Sequence, residues 1–319
     1  MGASCDLTII IVNWNVRDLL RRCLQSLHEA NTSLETQIIV VDSASSDGSV
    51  EMVSDEFPQV SLLVQKENIG FTRGNNLGIA DANSEYILLL NPDTVVDSNA
   101  LEEMVAYMQE HPEVGVLGPL LVYPDGSIQS SRRRFPTLAT LFFESTWLQP
   151  IAPRKVLDNY YVKDIPDDEV AKVGWIMGAC MLVRQKAIDE AGPLDEGYFM
   201  YSEEMEWQRR IQDKGWQVVY YPQVRVVHFE GKSSEQVMAQ RHIYFQQSKL
   251  RYARQYFGPF RGTLLRVFLL ANYVWQMILE SGKWIVGHKR TLRKQRIMAY
   301  WQVLQTGLAP AAPEQVRSK

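Results

Sequence analysis

An α/β fold built on a mainly parallel sheet is predicted by three observations. Short apolar runs alternate with helix-length segments, the runs are apolar at consecutive positions, and each run ends in polar residues. Consecutive apolar positions mark strands covered on both faces, whereas a half-exposed strand alternates. In open sheets of this kind a ligand binds in the crevice beyond the carboxyl ends of the strands.

Leu7 to Val12, Gln37 to Val41, Ser61 to Val64 and Tyr86 to Leu90 read as strands, with the spacing of βαβ units. Their ends carry Asn13-Trp14-Asn15, Asp42-Ser43-Ala44-Ser45-Ser46-Asp47-Gly48, Glu67-Asn68-Ile69-Gly70-Phe71 and Asn91-Pro92-Asp93-Thr94. Asp42 is suited to accept from a base N–H or a ribose hydroxyl. Gly70 permits close approach of backbone to ligand, and Asp93 is suited to hold a divalent cation against a diphosphate. Each segment taken singly also reads as a helix cap, a turn or a strand exit. Four of them at one crevice point to a ligand. No Gly-x-Gly-x-x-Gly follows the first strand and no Gly-x-x-x-x-Gly-Lys-Ser/Thr occurs, so neither a nicotinamide dehydrogenase nor a P-loop phosphotransferase is supported.

Further on, Tyr198 to Arg210 sets Glu203, Glu204 and Glu206 among aromatics where a helix is expected to begin. Ser202 is the expected N-cap, and the carboxylates suit the positive end of the helix dipole. Such residues serve either as ordinary capping or as acid/base groups. Arg132-Arg133-Arg134 follows Asp125-Gly126 in a polar connection, read as a solvated loop or as a segment that contacts diphosphate or an acidic headgroup.

Residues from Ser234 to Phe257 and from Arg261 to Gln305 read as helices broken at Gly258-Pro259. The apolar run Leu264 to Leu279 has 16 residues and includes Arg266. It falls short of the ~20 apolar residues that span a bilayer. Asn272, Gln276, Glu280 and Lys283 mark a narrow polar stripe, leaving a broad apolar surface with Trp275 and Trp284 suited to a membrane interface or to another protein chain. Residues 309–319 are expected to be a disordered tail.

With 319 residues, 46% of them hydrophobic and 22% charged, the chain can bury a large core as one domain or two. Cys5, Cys23 and Cys180 are widely spaced, which indicates neither a disulfide framework nor a zinc site and suggests a reducing compartment. The apolar run after Asp6 is too short for a signal peptide, so no export is expected. The net charge of −4 conceals an asymmetry: residues 241–319 hold 14 Lys/Arg against Glu280 and Glu314, leaving 19 Lys/Arg against 35 acids in residues 1–240. An acidic body argues against nucleic-acid binding. A basic tail interleaved with Trp, Leu and Phe suits an anionic membrane surface, or packs on the acidic body.

The ordered motifs resemble the family 2 glycosyltransferases of the GT-A fold, from Leu7 to about Ser234. They are Thr8 to Asn15, Val41 to Ser49, Glu67 to Phe71 with Gly74-Asn75-Asn76, and Leu90 to Thr94 at the family's metal-binding Asp-x-Asp. Gly174 to Cys180 then resembles the acceptor-side strand, and Glu203-Glu204 resembles the pair that supplies the base. The Glu-Asn-Ile-Gly-Phe and Asn-Pro-Asp segments are most similar to the rhamnosyltransferase branch, whose donor is dTDP-L-rhamnose.

The resemblance implies a GT-A domain over 1–234, with a nucleotide-sugar half to about 120 and an acceptor half from about 121, then a helical membrane-associating extension over 235–308. It implies an inverting transfer with Glu204 as base beside Glu203. Asn13, Asn15, Asp42, Ser45, Asn68, Gly70, Asn75, Asn91 and Asp93 would bind the donor, and Trp175, Gly178, Ala179 and Glu206 the acceptor. Asp93 and His228 would hold Mg²⁺ or Mn²⁺. Asn91 and Glu204 depart from the family pattern, where a carboxylate and an aspartate are usual. The acceptor would be a glycan or a polyprenyl-diphosphate-linked sugar of the cell envelope, and the enzyme cytoplasmic and peripheral on the inner face of the membrane. Two other readings are a UDP- or GDP-sugar donor on the same fold, and an inactive nucleotide- or glycan-binding scaffold.

Overall fold

The computed structural model describes residues 5–30, 32–230 and 238–309. The expected boundary at 234 and the tail from 310 lie outside the described residues. In chain order the elements are β1 (Cys5–Asn13), α1 (Arg17–His28), β2 (Thr36–Asp42), α2 (Ser49–Glu56), β3 (Ser61–Val64), α3 (Gly70–Asp81), β4 (Ser84–Leu90), β5 (Thr94–Val96), α4 (Ala100–Glu110), β6 (Val114–Val122) and β7 (Arg132–Arg133). Then come α5 (Leu138–Phe143), a 3-10 turn at Gln149–Ile151, α6 (Arg154–Tyr160), β8 (Ala171–Lys172), β9 (Trp175–Ile176), β10 (Cys180–Arg184), α7 (Gln185–Ala191), α8 (Glu203–Asp213) and β11 (Gln217–His228). The chain closes with α9 (Met238–Phe257), α10 (Pro259–Ile285) and α11 (Arg290–Thr306).

Two compact units result. The first takes the chain up to Phe135, Tyr161–Glu196 and Glu203 onward through β11; the second takes Pro136–Tyr160, Gly197–Ser202 and α9 to α11.

In the first unit a sheet runs β3-β2-β1-β4-β10-β6-β11-β5, with β8 also on β11. β3, β2, β1 and β4 are parallel, β10 is antiparallel to both β4 and β6, and β6 and β11 are parallel. All four expected strands are present within two residues of their expected ends. Both faces are covered, as consecutive apolar residues require: Ile9, Ile11, Val40 and Leu88 enter one core, and Ile10, Ile87 and Leu89 the other. β6 is buried at all nine positions. Helix α3 lies hard against β1 because Gly74 and Gly78 present no side chain there. A Cβ at Gly74 would come 2.7 Å from Val12, and one at Gly78 would strike Ile10.

Two expectations need correction. Gly174 to Cys180 is not one strand: β9 ends at Ile176, Met177–Ala179 turns, and β10 begins at Cys180. Arg132 is not in a solvated loop. It pairs with β9 in a short ribbon, and its guanidinium is buried against the Tyr220 ring, donating to the Pro166 carbonyl (2.9 Å) and pairing with Asp167 (2.9 Å). Arg134 forms a two-pronged ion pair with Asp164 at 2.7 Å.

The second unit packs Leu250, Ala253, Leu265, Leu269, Tyr273 and Val303 from its three long helices against Leu141 of α5. α10 outruns the 16-residue apolar segment. With 27 residues it is, among the described residues, the one helix long and apolar enough to cross a membrane by length and composition, and 28% of its apolar window is buried. Two residues of its polar stripe, Asn272 and Glu280, face inward. Asn272 accepts from the Trp147 N–H (3.2 Å) and Glu280 pairs with Arg293 (2.7 Å), both stripe residues being buried, while Trp275 and Trp284 are exposed.

Candidate active site

The parallel register sets Asn13 beside Asp42 at the ends of β1 and β2. Asn13 Nδ2 donates to Asp42 Oδ2 (2.8 Å) and to Ser45 Oγ (3.1 Å), and the Ser45 N–H donates to Asp42 Oδ1 (2.8 Å). Asn15 completes the knot: its N–H donates to Ser45 Oγ (2.9 Å) and its Oδ1 accepts from the Ser46 N–H (2.7 Å). Asn15 and Ala44 hold φ of 52° and 60°, a conformation non-glycine residues keep only where neighbouring bonds fix it. Asp42 is 1% exposed, with each oxygen already accepting once, so it shapes the loop before it reads any ligand. Asn13 Oδ1 and Ser43 Oγ are buried without partners.

After β3, Asn68 Oδ1 accepts from the Gly70 N–H (3.0 Å), and Gly70 has φ of 79°, so Phe71 is delivered by a turn that favours glycine. Asn75 is buried in α3 with its amide on the Phe71 carbonyl (2.9 Å).

Beyond β4, the Asn91–Thr94 segment meets the end of β11. Gln129 Nε2 donates to the His228 carbonyl (2.9 Å), so Gln129 Oε1 is left to accept from His228 Nδ1 (2.9 Å). That pins the tautomer. The Nε2 lone pair then stands 3.3 Å from Asp93 Oδ1 and 3.5 Å from Asn91 Nδ2. Two buried acceptors at that separation call for a cation or a proton between them, and an imidazole nitrogen with a carboxylate oxygen suits Mn²⁺ better than Mg²⁺. Among the described residues no group of three or more His, Cys, Asp or Glu converges, so an ion on this pair would need its remaining ligands from substrate and water.

The Met177–Ala179 turn joins this segment to the carboxylates. The Asn91 N–H donates to the Ala179 carbonyl (2.9 Å). On its other side Gly178 faces Glu204: a Cβ there would lie 3.5 Å from Glu204 Cβ and 3.7 Å from the Phe71 ring. Glu203 is buried with Oε2 unpartnered, and burial, reinforced by the neighbouring Glu204 charge, raises its carboxyl well above the ordinary range. Glu206 is turned inward, its carboxylate held by Arg210 Nε at 2.9 and 3.0 Å. Trp175 is buried in the ribbon opposite Arg133. Tyr201 and Ser202 have φ of 70° and 63°, not the extended conformation usual for an N-cap, so the chain enters α8 through a left-handed corner.

Three contributors escape a linear reading. Gln129 sets the histidine tautomer from 99 residues away. Gln208, one turn past Glu204, accepts from the Ile176 N–H (2.9 Å) and donates to the Ile176 carbonyl (2.8 Å) and the Glu204 carbonyl (3.0 Å), clamping α8 to β9. Phe71 packs at Gly178. Gln208 had a local signal in its four-residue spacing from Glu204, and Phe71 stood in the Glu67–Phe71 segment, though its place against Gly178 did not show there. Cys23 and Cys180 are free and buried, and burial pushes the Cys23 thiol up to about 12, which removes it as a nucleophile.

The profile of Glycosyl transferase family 2 matches residues 8–191. The chain is 30% identical to the N-acetylglucosaminyl-diphospho-decaprenol L-rhamnosyltransferase of Mycobacterium tuberculosis over 72% of this chain and 77% of that protein. It is 24% identical to the rhamnosyltransferase WbbL of Escherichia coli K12 over 76% and 91%. Among solved structures it is similar to the mannosyltransferase PcManGT of Pyrobaculum calidifontis in complex with GDP-Man and Mn²⁺, with a TM-score of 0.55 and 14% identity over 96% of this chain and 88% of that one. GalNAc-T7 with UDP, GalNAc and Mn²⁺ gives 0.56 and 16% over 72% of this chain, which spans 44% of that protein. At these identities the structural likeness carries the fold.

Proposed function

The chain belongs to glycosyl transferase family 2 and has the GT-A fold, and on that premise we propose that it transfers L-rhamnose from dTDP-L-rhamnose to a polyprenyl-diphosphate-linked sugar, with inversion. The observation that carries the reading is the Met177–Ala179 turn. Gly178 lies against Glu204, while the Ala179 carbonyl accepts from the Asn91 N–H two residues before Asp93, so one short segment touches both the residue read as the base and the segment read as facing the diphosphate.

Glu204 takes the proton from the acceptor hydroxyl as that oxygen attacks the anomeric carbon. A base so placed contributes typically about 10²–10⁴-fold. Burial raises the Glu203 carboxyl and so disfavours a second negative charge beside Glu204, and Gln208 fixes the helix turn from which Glu204 projects. A divalent cation, when bound, would neutralise charge on the leaving diphosphate. Asp93 and His228 Nε2 would hold it, and Gln129, by accepting from Nδ1, leaves the Nε2 lone pair turned toward Asp93. Asn13, Asp42 and Ser45 shape the loop that meets the base and ribose; each Asp42 oxygen keeps a second lone pair for that purpose. Phe71 and Gly178 narrow the space where donor sugar and acceptor meet. The C-terminal helices hold the enzyme peripherally on an anionic inner membrane surface, near a lipid-borne acceptor.

Thermal stabilisation by dTDP, UDP and GDP, each with and without Mn²⁺, tests the reading, because a ligand that binds only the folded chain raises its melting temperature. Selective, Mn²⁺-enhanced stabilisation by dTDP is the expected result. A preference for UDP or GDP moves the donor while keeping the reaction class, and no response to any of the three favours an inactive scaffold, for which the loss of a carboxylate at Asn91 argues.

A further inference from the structure

The hairpin formed by α10 and α11 is inverted at its closed end. Glu280 is buried and draws in Arg293 (2.7 Å), Lys283 (3.4 Å) and Arg296 (3.8 Å), so the acidic group of this end is consumed inside. Outside stand Trp284, Ile285 and Val286, the last two 69% and 85% exposed. Lys283, Lys289, Arg290 and Lys294 flank them along the chain, all exposed, and of these Lys283 also pairs with Glu280. Residues 281–309 hold six Lys/Arg and no acid. Arg290 folds back, its Nε donating to the Trp284 carbonyl (3.3 Å) with the guanidinium 5.9 Å from the indole. Helix α11 starts without a side-chain cap, so the positive end of its dipole adds to the same field.

We propose that this turn, residues 283–290, is a membrane-inserting tip: Trp284, Ile285 and Val286 enter the acyl boundary of an anionic bilayer while the surrounding Lys and Arg hold lipid phosphate. Charge selects the occupant. A protein partner would need a strongly acidic concave surface, whereas an anionic leaflet supplies negative charge around an apolar interior, the order in which the tip presents its complement. Trp284 at the rim matches the headgroup depth that indole prefers. The inference rests on the membrane-proximal reading above and replaces a helix lying flat with one that engages end-on through its turn.

The test uses the full chain with phosphatidylcholine vesicles, with and without phosphatidylglycerol. Co-sedimentation with the anionic vesicles is expected, with Trp fluorescence quenched by brominated acyl chains and the quenching reduced in Trp284→Phe. Binding should fall at least tenfold in the double variant Ile285→Asp/Val286→Asp and in Lys289→Glu/Arg290→Glu, with circular dichroism and dTDP stabilisation unchanged. Four results would overturn the idea: equal binding to neutral vesicles, unchanged binding in both variants, loss confined to a Val267→Asp/Ile278→Asp control on the flank of α10, or resistance of the bound protein to alkaline carbonate, which marks a spanning helix. Abolition of binding by millimolar inorganic phosphate would assign the cations to free phosphate instead and also overturn it. Turnover on a water-soluble acceptor reads the proposed reaction separately, so failure of one claim is distinguishable from failure of the other.

Discussion

At the scale of single residues the carboxylates divide by environment. Glu203 is buried beside Glu204 and its carboxyl is raised well above the ordinary range, first by burial and then by the neighbouring charge. A group raised in the folded state contributes stability that is whole below its unfolded pKa and lost as pH climbs toward the folded one. Glu203→Gln should therefore gain on wild type as pH rises above about 4.5, visible as a melting-temperature difference larger at pH 8 than at pH 5. Glu204→Gln keeps the shape and removes the base; kcat is expected to fall by about 10²–10⁴-fold with donor KM little changed, and near-normal turnover would refute its role. Asp93→Ala should chiefly lower kcat. Asp42→Ala should raise donor KM and also melt lower, because it strips partners from Asn13 and the Ser45 N–H. Gln129→Leu frees the His228 tautomer, and a weaker Mn²⁺ response with unchanged fold is the outcome to look for. The sequence placed Asp93 and His228 in one site by resemblance alone, and Gln129 carries no local mark because its effect depends on the connection after β6 meeting the end of β11, 99 residues on.

At the scale of elements, consecutive apolar residues were sufficient to locate β1 to β4, since burial on both faces leaves little choice of residue. The acceptor side was harder to read. β7, β8 and β9 have two residues each, too short for any periodicity, and Arg132 looked solvated because its partners lie 33 to 88 residues away, from Ile165 to Tyr220. Gly74 has a role that a motif reading hides: it lets α3 settle on β1. Gly74→Ala should cost about 1–3 kcal/mol by crowding Val12, measured by urea denaturation, and Val12→Ala in the same chain should recover part of it. In the helical unit, the polar stripe of α10 was visible as spacing, but its direction was not. Glu280→Ala leaves Arg293 with an unmet buried charge and should destabilise by about 1–3 kcal/mol, whereas Glu280→Ala with Arg293→Met should cost less than the single change.

At the scale of the whole molecule, the division of charge along the chain predicts a division of ligands. In hydrogen exchange, dTDP with Mn²⁺ is expected to protect residues 13–15, 42–46 and 91–94 in the first unit, while anionic vesicles protect residues 283–294 in the second. Protection of both segments by either ligand alone would refute that separation. The fold class was legible because it depends on repeated local pattern; the grouping of residues 136–160 and 197–202 with the C-terminal helices was not, because it depends on contacts far apart in the chain. The order of strands bears also on how the protein is made. β6 is complete once residue 122 leaves the ribosome, yet its neighbours in the sheet, β10 and β11, begin only at residues 180 and 217. For about a hundred residues of synthesis nine wholly apolar-facing positions await both partners, a long interval for an unpaired strand. Nascent chains halted before residue 217 should aggregate where the finished chain does not, and expression should improve as holding chaperones are supplied.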